Sequence, residues 1–287
     1  MPEMPEVESL RRFLTERCVG RTVARVDLAA FTALKTYDPP LTALHGLPIS
    51  QVRRRGKFLA MDCQGLWLVF HLARAGWLRW REELPSTPPR PGKGPLALRV
   101  TLDDDSGFEL TEAGTTRKLA VHVVTDPEQV PHIASLGPDP MDDDFTPEVL
   151  GEILGRAGRA QLKGVLRDQR LIAGIGNAYS DEILHAARLS PYKPANSLDE
   201  AGVSALYGVL RHELSEAMRR AEGLAAKDLK GEKKLGMKVH GRTGQPCPVC
   251  GDTVREVSFH DSSLQYCPTC QTGGKPLADR RMSRLLK

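Results

Sequence analysis

Two cysteine pairs near the C-terminus constrain the fold of this 287-residue chain more than any other feature. The pair Cys247 and Cys250 is separated by sixteen residues from the pair Cys267 and Cys270. Four thiolates at this spacing can close a tetrahedron around zinc, with no open position for a substrate. We therefore expect one structural Zn²⁺ that holds a short β-hairpin, with a redox-active CxxC pair or an accidental spacing as the alternatives.

The charge distribution favours a polyanionic partner. The net charge is only +4, but residues 224–287 hold 12 Lys and Arg against 6 Asp and Glu. The hydrophobic content of 40% is enough for globular domains. The sequence has neither a long apolar run nor a signal-like start, so we expect a cytoplasmic protein with no membrane association.

The N-terminus carries a possible nucleophile. Removal of Met1 would leave Pro2 as a secondary amine next to the carboxylates of Glu3 and Glu6. Such an amine can attack a sugar C1′ to give an iminium ion, and the carboxylates can transfer the protons. The alternative is a Met-Pro start without catalytic meaning. Val7, Leu10 and Leu14 predict an amphipathic helix from Pro5 to about Val19 that fixes this end of the chain.

The pattern of apolar residues and turns over residues 21–125 is typical of β-strands and predicts a β-sandwich. The apolar run 66–70 and the alternating residues 96–102 are the clearest strands, and the proline-rich stretch 84–95 predicts a mobile loop. Arg53, Arg54, Arg55 and Lys57 lie beside a strand start. They fit either a charged edge strand or contacts to phosphate.

The character of the chain changes after a proline-rich, acidic linker at residues 131–147. Four helical patterns follow, beginning near residues 149, 162, 183 and 203. Between the second and third, Gly174 and Gly176 permit a tight turn close to a phosphate, and Asn177 is placed to cap the next helix.

Together these segments resemble the formamidopyrimidine-DNA glycosylase/endonuclease VIII family, over essentially the whole chain. The similar stretches are the N-terminal signature, a lysine-bearing hairpin, a linker, a helix-two-turns-helix segment and the zinc finger; they lie at residues 2–8, 54–59, 136–140, 162–184 and 239–270.

The resemblance implies an α+β multidomain fold. Residues 1–130 would form the β-sandwich catalytic domain with its N-terminal helix, and residues 131–147 the linker. Residues 148–223 would form the helix-two-turns-helix domain, and residues 224–287 a lysine-rich loop, the four-cysteine zinc-finger β-hairpin and a basic tail that includes Arg280, Arg281 and Arg284.

The resemblance also implies the roles of individual residues. Pro2 would be the Schiff-base nucleophile, Glu3 the acid for the sugar ring oxygen, Glu6 a support for the N-terminus and Lys57 a phosphate contact. Contacts to DNA would come from Arg74, Arg117, Lys163, Asn177 and Tyr179. Because the glycosidic carbon is inaccessible in a stacked duplex, the nucleotide must be extruded to meet the amine.

The chain also departs from the family pattern. Ser262 stands where relatives carry a phosphate-gripping arginine, and the cation of Arg74 stands where they carry a methionine wedge. The segment that covers the flipped purine in relatives is short and lysine-rich here, at roughly residues 223–238. These differences leave the lesion open among oxidised purines, oxidised pyrimidines, bulkier adducts and abasic sites.

The sequence thus predicts a bifunctional DNA glycosylase and AP lyase of base excision repair. Its partner would be double-stranded DNA with damaged bases or abasic sites, and we expect a monomer associated with the nucleoid. The alternative is a protein that binds lesions or distorted duplex with little or no catalysis, which Ser262 and Arg74 favour.

Overall fold

The computed structural model describes residues 1–92, 94–114, 116–259 and 262–278. The chain forms two compact units. The first contains Met1–Ser135 and Ala221–Lys230, and the second contains Leu136–Arg220 and the chain from Gly231 onward. The chain therefore returns to the first unit for ten residues after most of the second has formed.

The first unit is built on two four-stranded antiparallel sheets, which confirms the predicted β-sandwich. The strand order is β1-β6-β7-β5 in one sheet and β2-β3-β4-β8 in the other. The strands are β1 (Val23–Leu28), β2 (Gln51–Arg55), β3 (Phe58–Cys63), β4 (Leu66–His71), β5 (Gly76–Arg81), β6 (Leu96–Leu102), β7 (Gly107–Glu112) and β8 (Ala120–Val124).

Helix α1 (Met4–Cys18) packs on this unit, as its apolar spacing predicts. Val7, Leu10 and Leu14 are almost completely buried and belong to one core with residues from both sheets. Ala221, Ala226 and Leu229 of the returning segment join the same core. The N-terminus is thus fixed by apolar packing.

The proline-rich stretch between β5 and β6 contains no helix or strand in its described residues. Its first part is nevertheless tied to the sheet. The Arg25 guanidinium donates hydrogen bonds to the carbonyls of Pro85 and Ser86, and that of Arg99 donates to the carbonyl of Thr87. Side-chain donors replace the backbone bonds that the prolines cannot supply.

The second unit is mainly helical, and the four predicted helical patterns all form helices. A short helix, α2 (Pro131–Ala134), lies in the first unit, just before the second unit begins at Leu136. The helices that follow are α3 (Pro147–Ala157), α4 (Leu162–Arg167), α5 (Asn177–Ala186) and α6 (Glu200–Arg220). Gly137 lies where a Cβ would be 2.6 Å from the carbonyl carbon of Leu171, so only glycine fits this close approach.

Part of the stretch expected to be a lysine-rich loop is instead helical: α7 spans Leu229–Gly236. Lysine and glutamate are good helix formers, and Leu229 is 1% exposed and anchors the first turn. Arg220 at the end of α6 pairs with Glu232 at 3.1 Å. The prediction of a loop is therefore wrong for residues 229–236. It was based on the charge of the lysines and left out their high helix propensity.

The zinc-finger region has the expected hairpin, β9 (Arg255–Ser258) and β10 (Ser263–Tyr266), followed by α8 (Pro268–Thr272). Leu277 packs beside Tyr266, whose hydroxyl accepts the Leu277 N–H at 2.7 Å. Residues 279–287, with the three tail arginines, lie outside the described part of the chain. Among the described residues, no helix is long and apolar enough to cross a membrane.

Candidate active site and zinc centre

The N-terminal residues are held by a capping box at the start of α1. Glu3 is the N-cap residue, and its backbone N–H donates to the Glu6 carboxylate at 2.7 Å while its own side chain accepts the N–H of Glu6. Pro2, Glu3 and Glu6 are all buried, whereas Met1 is 45% exposed. The box therefore fixes the backbone next to Pro2, and Met1 is accessible for removal.

Glu8 ties α1 to the hairpin that carries Lys57. Its carboxylate accepts from Arg54 on β2 at 3.1 Å and from Arg11 at 2.8 Å, and these arginines lower the pKa of Glu8 against the opposing effect of burial. Gly56 and Lys57 form the two-residue turn between β2 and β3, and Gly56 has φ +57°. A left-handed residue is what such a tight hairpin turn requires.

Lys57 is 7% exposed and lies close to His71 at the end of β4. Burial, followed by the charge of Lys57, lowers the pKa of His71 to about 4. Its Nδ1 accepts the N–H of Ala73 at 3.2 Å, which also requires an unprotonated nitrogen. Sequence reasoning did not select His71, although it follows the apolar strand directly.

Two turns of the first unit carry the predicted wedge residues. Arg74 is exposed in the turn between β4 and β5, where Ala73 has φ +52° and a Cβ on Gly76 would be 2.0 Å from the Leu72 carbonyl oxygen. Arg117 is half-buried in the segment before β8. That segment is held by the Glu112 carboxylate, which accepts the N–H groups of residues 118 and 119.

In the second unit, Lys163 has its ammonium group inside a polar network. Its Nζ donates to the Asp181 carboxylate at 2.6 Å, to the Ser180 hydroxyl at 2.9 Å and to the Asn177 carbonyl at 3.0 Å. Its side chain is 5% exposed. These bonds give Lys163 a role in fixing the start of α5, and its predicted phosphate contact stays a prediction.

Asn177 occupies the first turn of α5 and is not its cap, because Gly176 holds the N-cap position. The expected capping by Asn177 is therefore wrong. Its Nδ2 donates instead to the carbonyl of Ser263 on β10 at 2.7 Å. Tyr179, two residues further, is 3% exposed, with Lys233 Nζ lying 4.7 Å from its ring centroid.

One face of α5 binds the zinc-finger region through three ionisable residues. Glu182 accepts the backbone N–H groups of residues 238–240 at 2.7–3.0 Å, Asp181 contacts His240 Nδ1 at 2.8 Å, and His185 Nε2 lies 3.2 Å from Cys247 Sγ. Burial raises the pKa of Glu182. Asp181 and Glu182 precede His185 by four and three residues. Because residues at these spacings lie on the same side of a helix, the sequence alone would have predicted a shared polar face.

The four cysteine sulfurs lie within 4.8 Å of one another. Cys250 and Cys267 are 3.3 Å apart, and Cys247 and Cys270 are 3.9 Å apart. A Zn–S tetrahedron with bonds of about 2.3 Å has edges of about 3.8 Å, so the donors fit this metal. Gly244, Gly251 and Gly273, at positive φ, let the chain turn around the centre.

Comparison with known proteins agrees with this architecture. The chain matches the family models for the formamidopyrimidine-DNA glycosylase N-terminal domain over residues 1–120, its H2TH domain over 136–228, and the zinc finger found in FPG and IleRS over 244–273. The formamidopyrimidine-DNA glycosylase of Symbiobacterium thermophilum is 36% identical, over 98% of this chain and 93% of that protein.

A shorter relative is more similar in sequence. An uncharacterized formamidopyrimidine-DNA glycosylase-like protein of Mycobacterium tuberculosis is 59% identical over 55% of this chain and 98% of its own length. Among solved structures, the MutM (Fpg) protein of Thermus thermophilus has a TM-score of 0.79 and 32% identity, over 96% of this chain and 100% of that one.

A second solved structure, the Lactococcus lactis enzyme bound non-covalently to DNA with an AP site, has a TM-score of 0.81 and 26% identity, over 94% of this chain and 99% of that one. The chain belongs to the formamidopyrimidine-DNA glycosylase family. It is a DNA glycosylase and AP lyase of base excision repair, and its four-cysteine finger holds one structural zinc ion.

Proposed function

We propose that this enzyme acts on double-stranded DNA containing damaged bases or abasic sites and cleaves it through the amine of Pro2. The observation that carries the proposal is the Glu3–Glu6 capping box, which fixes two buried carboxyl groups directly after Pro2. Solved relatives bound to DNA with an abasic site or a FAPY-dG lesion support this class of substrate. Association with the nucleoid would follow from it.

The chemistry begins with the removal of Met1, because the Pro2 nitrogen is an unreactive amide while Met1 is attached. The freed secondary amine attacks C1′, and the bond between the Pro2 nitrogen and C1′ forms as the glycosidic bond breaks. The damaged base leaves with the electron pair of that bond and takes up the proton that the amine loses. Glu3 donates a proton to the ring oxygen O4′, and the sugar ring opens to a Pro2–C1′ iminium ion. At an abasic site the same amine condenses with the C1′ aldehyde and releases water.

The iminium ion then acts as an electron sink for strand cleavage. A proton leaves C2′, the new double bond forms between C2′ and C3′, and the 3′ phosphate departs with the electron pair of its C–O bond. Lys57 would neutralise this phosphate, since it lies at the tip of the hairpin that Arg54 and Glu8 tie to α1. Hydrolysis of the iminium ion regenerates the amine.

The remaining predicted residues would hold the DNA. Asn177 and Lys163 would contact phosphates at the start of α5, where backbone N–H groups also favour an anion, and Tyr179 would support that turn. Arg74 would enter the space left by the extruded nucleotide, where its planar guanidinium can stack on bases. Arg117 would contact the orphaned base.

The proposal is tested by blocking the N-terminal amine. We expect a form with residues added before Met1 to bind an abasic duplex with unchanged affinity and to show no strand cleavage above a protein-free control. The trimmed protein should cleave the same duplex. Equal cleavage by the extended form would contradict a role for Pro2.

The same assay addresses the alternative of lesion binding without catalysis, which the enzymatic relatives do not favour. If the trimmed protein, with its zinc bound and its N-terminus verified, binds the duplexes tightly but cleaves neither an abasic site nor any lesion of a panel, that alternative replaces the proposed chemistry.

A further inference from the structure

A cavity of about 630 Å³ lies in the first unit, and its lining includes Lys227 and Lys230 of the lysine-rich segment that the family resemblance places over the flipped purine. It is bordered by α1, by β5 at the edge of its sheet, and by the returning segment 225–230. Cavities of roughly 300–1,000 Å³ are the usual size of small-molecule sites. Its volume is therefore sufficient for a ligand of that size.

Aromatic rings form much of the wall. Phe13 of α1 meets Trp80 of β5 edge to face, with ring centroids 5.7 Å apart. Trp77 is 7% exposed, and its indole N–H donates to the Ala226 carbonyl at 3.0 Å. The rings are thus held in place, as a stacking surface needs to be.

The rim is strongly cationic, with five Lys and Arg side chains against the single carboxylate of Glu82. Glu82 is already paired with Arg17 at 3.0 Å, and Arg81 is paired with Glu109 at 3.7 Å. The Arg17 guanidinium carbon also lies 5.6 Å from the Phe13 ring centroid and 5.7 Å from that of Trp80. Arg79 and Lys227 have no ion pair among the described residues, and Lys230 Nζ lies 4.6 Å from the Trp77 ring centroid. Burial, and then the nearby charge of Arg79, lowers the pKa of Lys230. A bound anion would relieve this crowding of like charges.

The aromatic wall, together with the cations of Arg79 and Lys227 that have no ion pair among the described residues, favours one kind of ligand. A purely apolar molecule would leave the cations without a partner, and an inorganic anion would make no use of the rings. A nucleobase joined to a phosphate uses both, since bases stack on aromatic side chains and phosphates pair with Arg and Lys.

The cavity is separated from the reactive end of α1. Phe13 follows Met4 by nine residues, which corresponds to about 14 Å along a helix. Arg17 lies one further turn away. This part of the wall is therefore too distant to contact the sugar that is attached to Pro2.

We propose that this cavity is a nucleotide-binding subsite, in which a base packs against the aromatic wall that Trp77, Trp80 and Phe13 form, while its phosphate pairs with Arg79, Lys227 and Lys230. The nucleotide could come from a DNA strand or from solution. The chemistry is the same in both cases, and the two sources are separated by experiment.

Tryptophan fluorescence gives a direct readout, because the chain has three tryptophans and two of them line the cavity. The zinc-loaded protein is titrated with deoxyadenosine 5′-monophosphate and with a tetrathymidylate, and with deoxyadenosine and inorganic phosphate as partial ligands. Saturable quenching by the mononucleotide identifies a free nucleotide. Quenching by the tetrathymidylate alone identifies a strand nucleotide, and either result supports the subsite.

Substitutions of the lining residues test whether the fluorescence quenching comes from a ligand bound in the cavity. We expect Arg79→Glu combined with Lys227→Glu to weaken the quenching ligand at least tenfold, whereas Arg90→Glu, an exposed charge change outside the lining, leaves its affinity unchanged. We expect Trp80→Phe to keep the aromatic packing but to reduce the fraction of tryptophan fluorescence that the ligand quenches. Trp67→Phe, on the other sheet, should retain a quenched fraction at least as large as that of the wild type.

Three results would overturn the subsite. The first is no saturable quenching by either nucleotide at millimolar concentration. The second is equal affinity for deoxyadenosine or phosphate alone, which would show that the cavity does not require a base and a phosphate together. The third is unchanged affinity in the double charge variant. None of these results depends on the Pro2 chemistry.

Discussion

Buried polar residues of α4 and α5 have well-defined partners, and these partners limit what each residue can do. Lys163, Asp181 and Glu182 are almost completely buried, and the contacts described above join each of their charges to a donor or acceptor. Removing one member would leave a buried charge unpaired, which costs about 3–5 kcal/mol. These residues therefore hold the second unit's shape, whatever contacts they also make with DNA.

His71 provides a prediction for pH dependence. Its pKa is about 4 in the fold against 6.5 ordinarily, so the unfolded chain binds more protons between these values. This contribution to stability is fully present above pH 6.5 and is lost as the pH falls towards 4. We expect unfolding of the first unit to become easier over this interval, and to do so less in His71→Asn, whose carbonyl oxygen can replace Nδ1 as the acceptor for Ala73. Denaturant unfolding followed at several pH values measures this difference, and parallel pH profiles would contradict it.

His185 provides a prediction for the zinc centre. Its Nε2 lies 3.2 Å from Cys247 Sγ, at a distance suited to an N–H···S hydrogen bond that stabilises a zinc-bound thiolate. We expect His185→Phe to release zinc to a chelator roughly tenfold faster, since outer-shell partners typically contribute about 10–100-fold to affinity.

The matched control is His185→Gln, which keeps an N–H donor and should retain more of the wild-type rate. A chelator-competition assay with a zinc dye follows the loss without reference to catalysis. Equal release rates in all three proteins would show that the contact does not support the metal.

At the scale of elements, the β9–β10 hairpin of the finger has an unusual tip. The carbonyl of Ser262 accepts the N–H of Phe259 at 2.7 Å, which closes the turn. The intervening His260 and Asp261 lie outside the described residues. A serine hydroxyl cannot replace the charged, bidentate grip of the arginine that the family resemblance places here.

We expect the wild-type enzyme to stop mainly after β-elimination, because the second phosphate is poorly held. Ser262→Arg should raise the fraction of δ-elimination product several-fold without requiring a new backbone conformation. Gel analysis of an end-labelled abasic duplex separates the two products. Predominant δ-product in the wild type would contradict this account of Ser262.

Among the elements, amphipathic and alternating patterns were predictable from sequence, and contacts between distant segments were not. The spacing of Val7, Leu10 and Leu14 gives α1 because one helix face is buried in the sandwich. The return of 221–230 to the first unit depends on Ala221, Ala226 and Leu229, whose spacing says nothing about which surface they cover. The helix α7 was missed for a local reason, since a run of lysines suggested a solvated loop.

The candidate site likewise contains some residues that the sequence predicted and some contacts that it did not. The four cysteines of the zinc centre, and the proposed catalytic residues Pro2, Glu3, Glu6 and Lys57, were predicted from motifs, because their chemistry depends on residue type and short spacing. The partners of Lys163, Asn177 and His185 come from segments 14–86 residues away in sequence, so only the fold could reveal them. Trp77 and Trp80 belong to a cavity that no short motif marks.

At the scale of the whole molecule, the proposed activity depends on one covalent bond between the N-terminal amine and DNA. Borohydride reduces the iminium ion, so the trimmed protein incubated with an abasic duplex should yield a one-to-one adduct. Proteolysis and mass spectrometry should then place the sugar remnant on the N-terminal peptide, at the nitrogen of Pro2. An absence of adduct with protein of verified Pro2 terminus, or a remnant found on a lysine such as Lys57, would contradict the central claim.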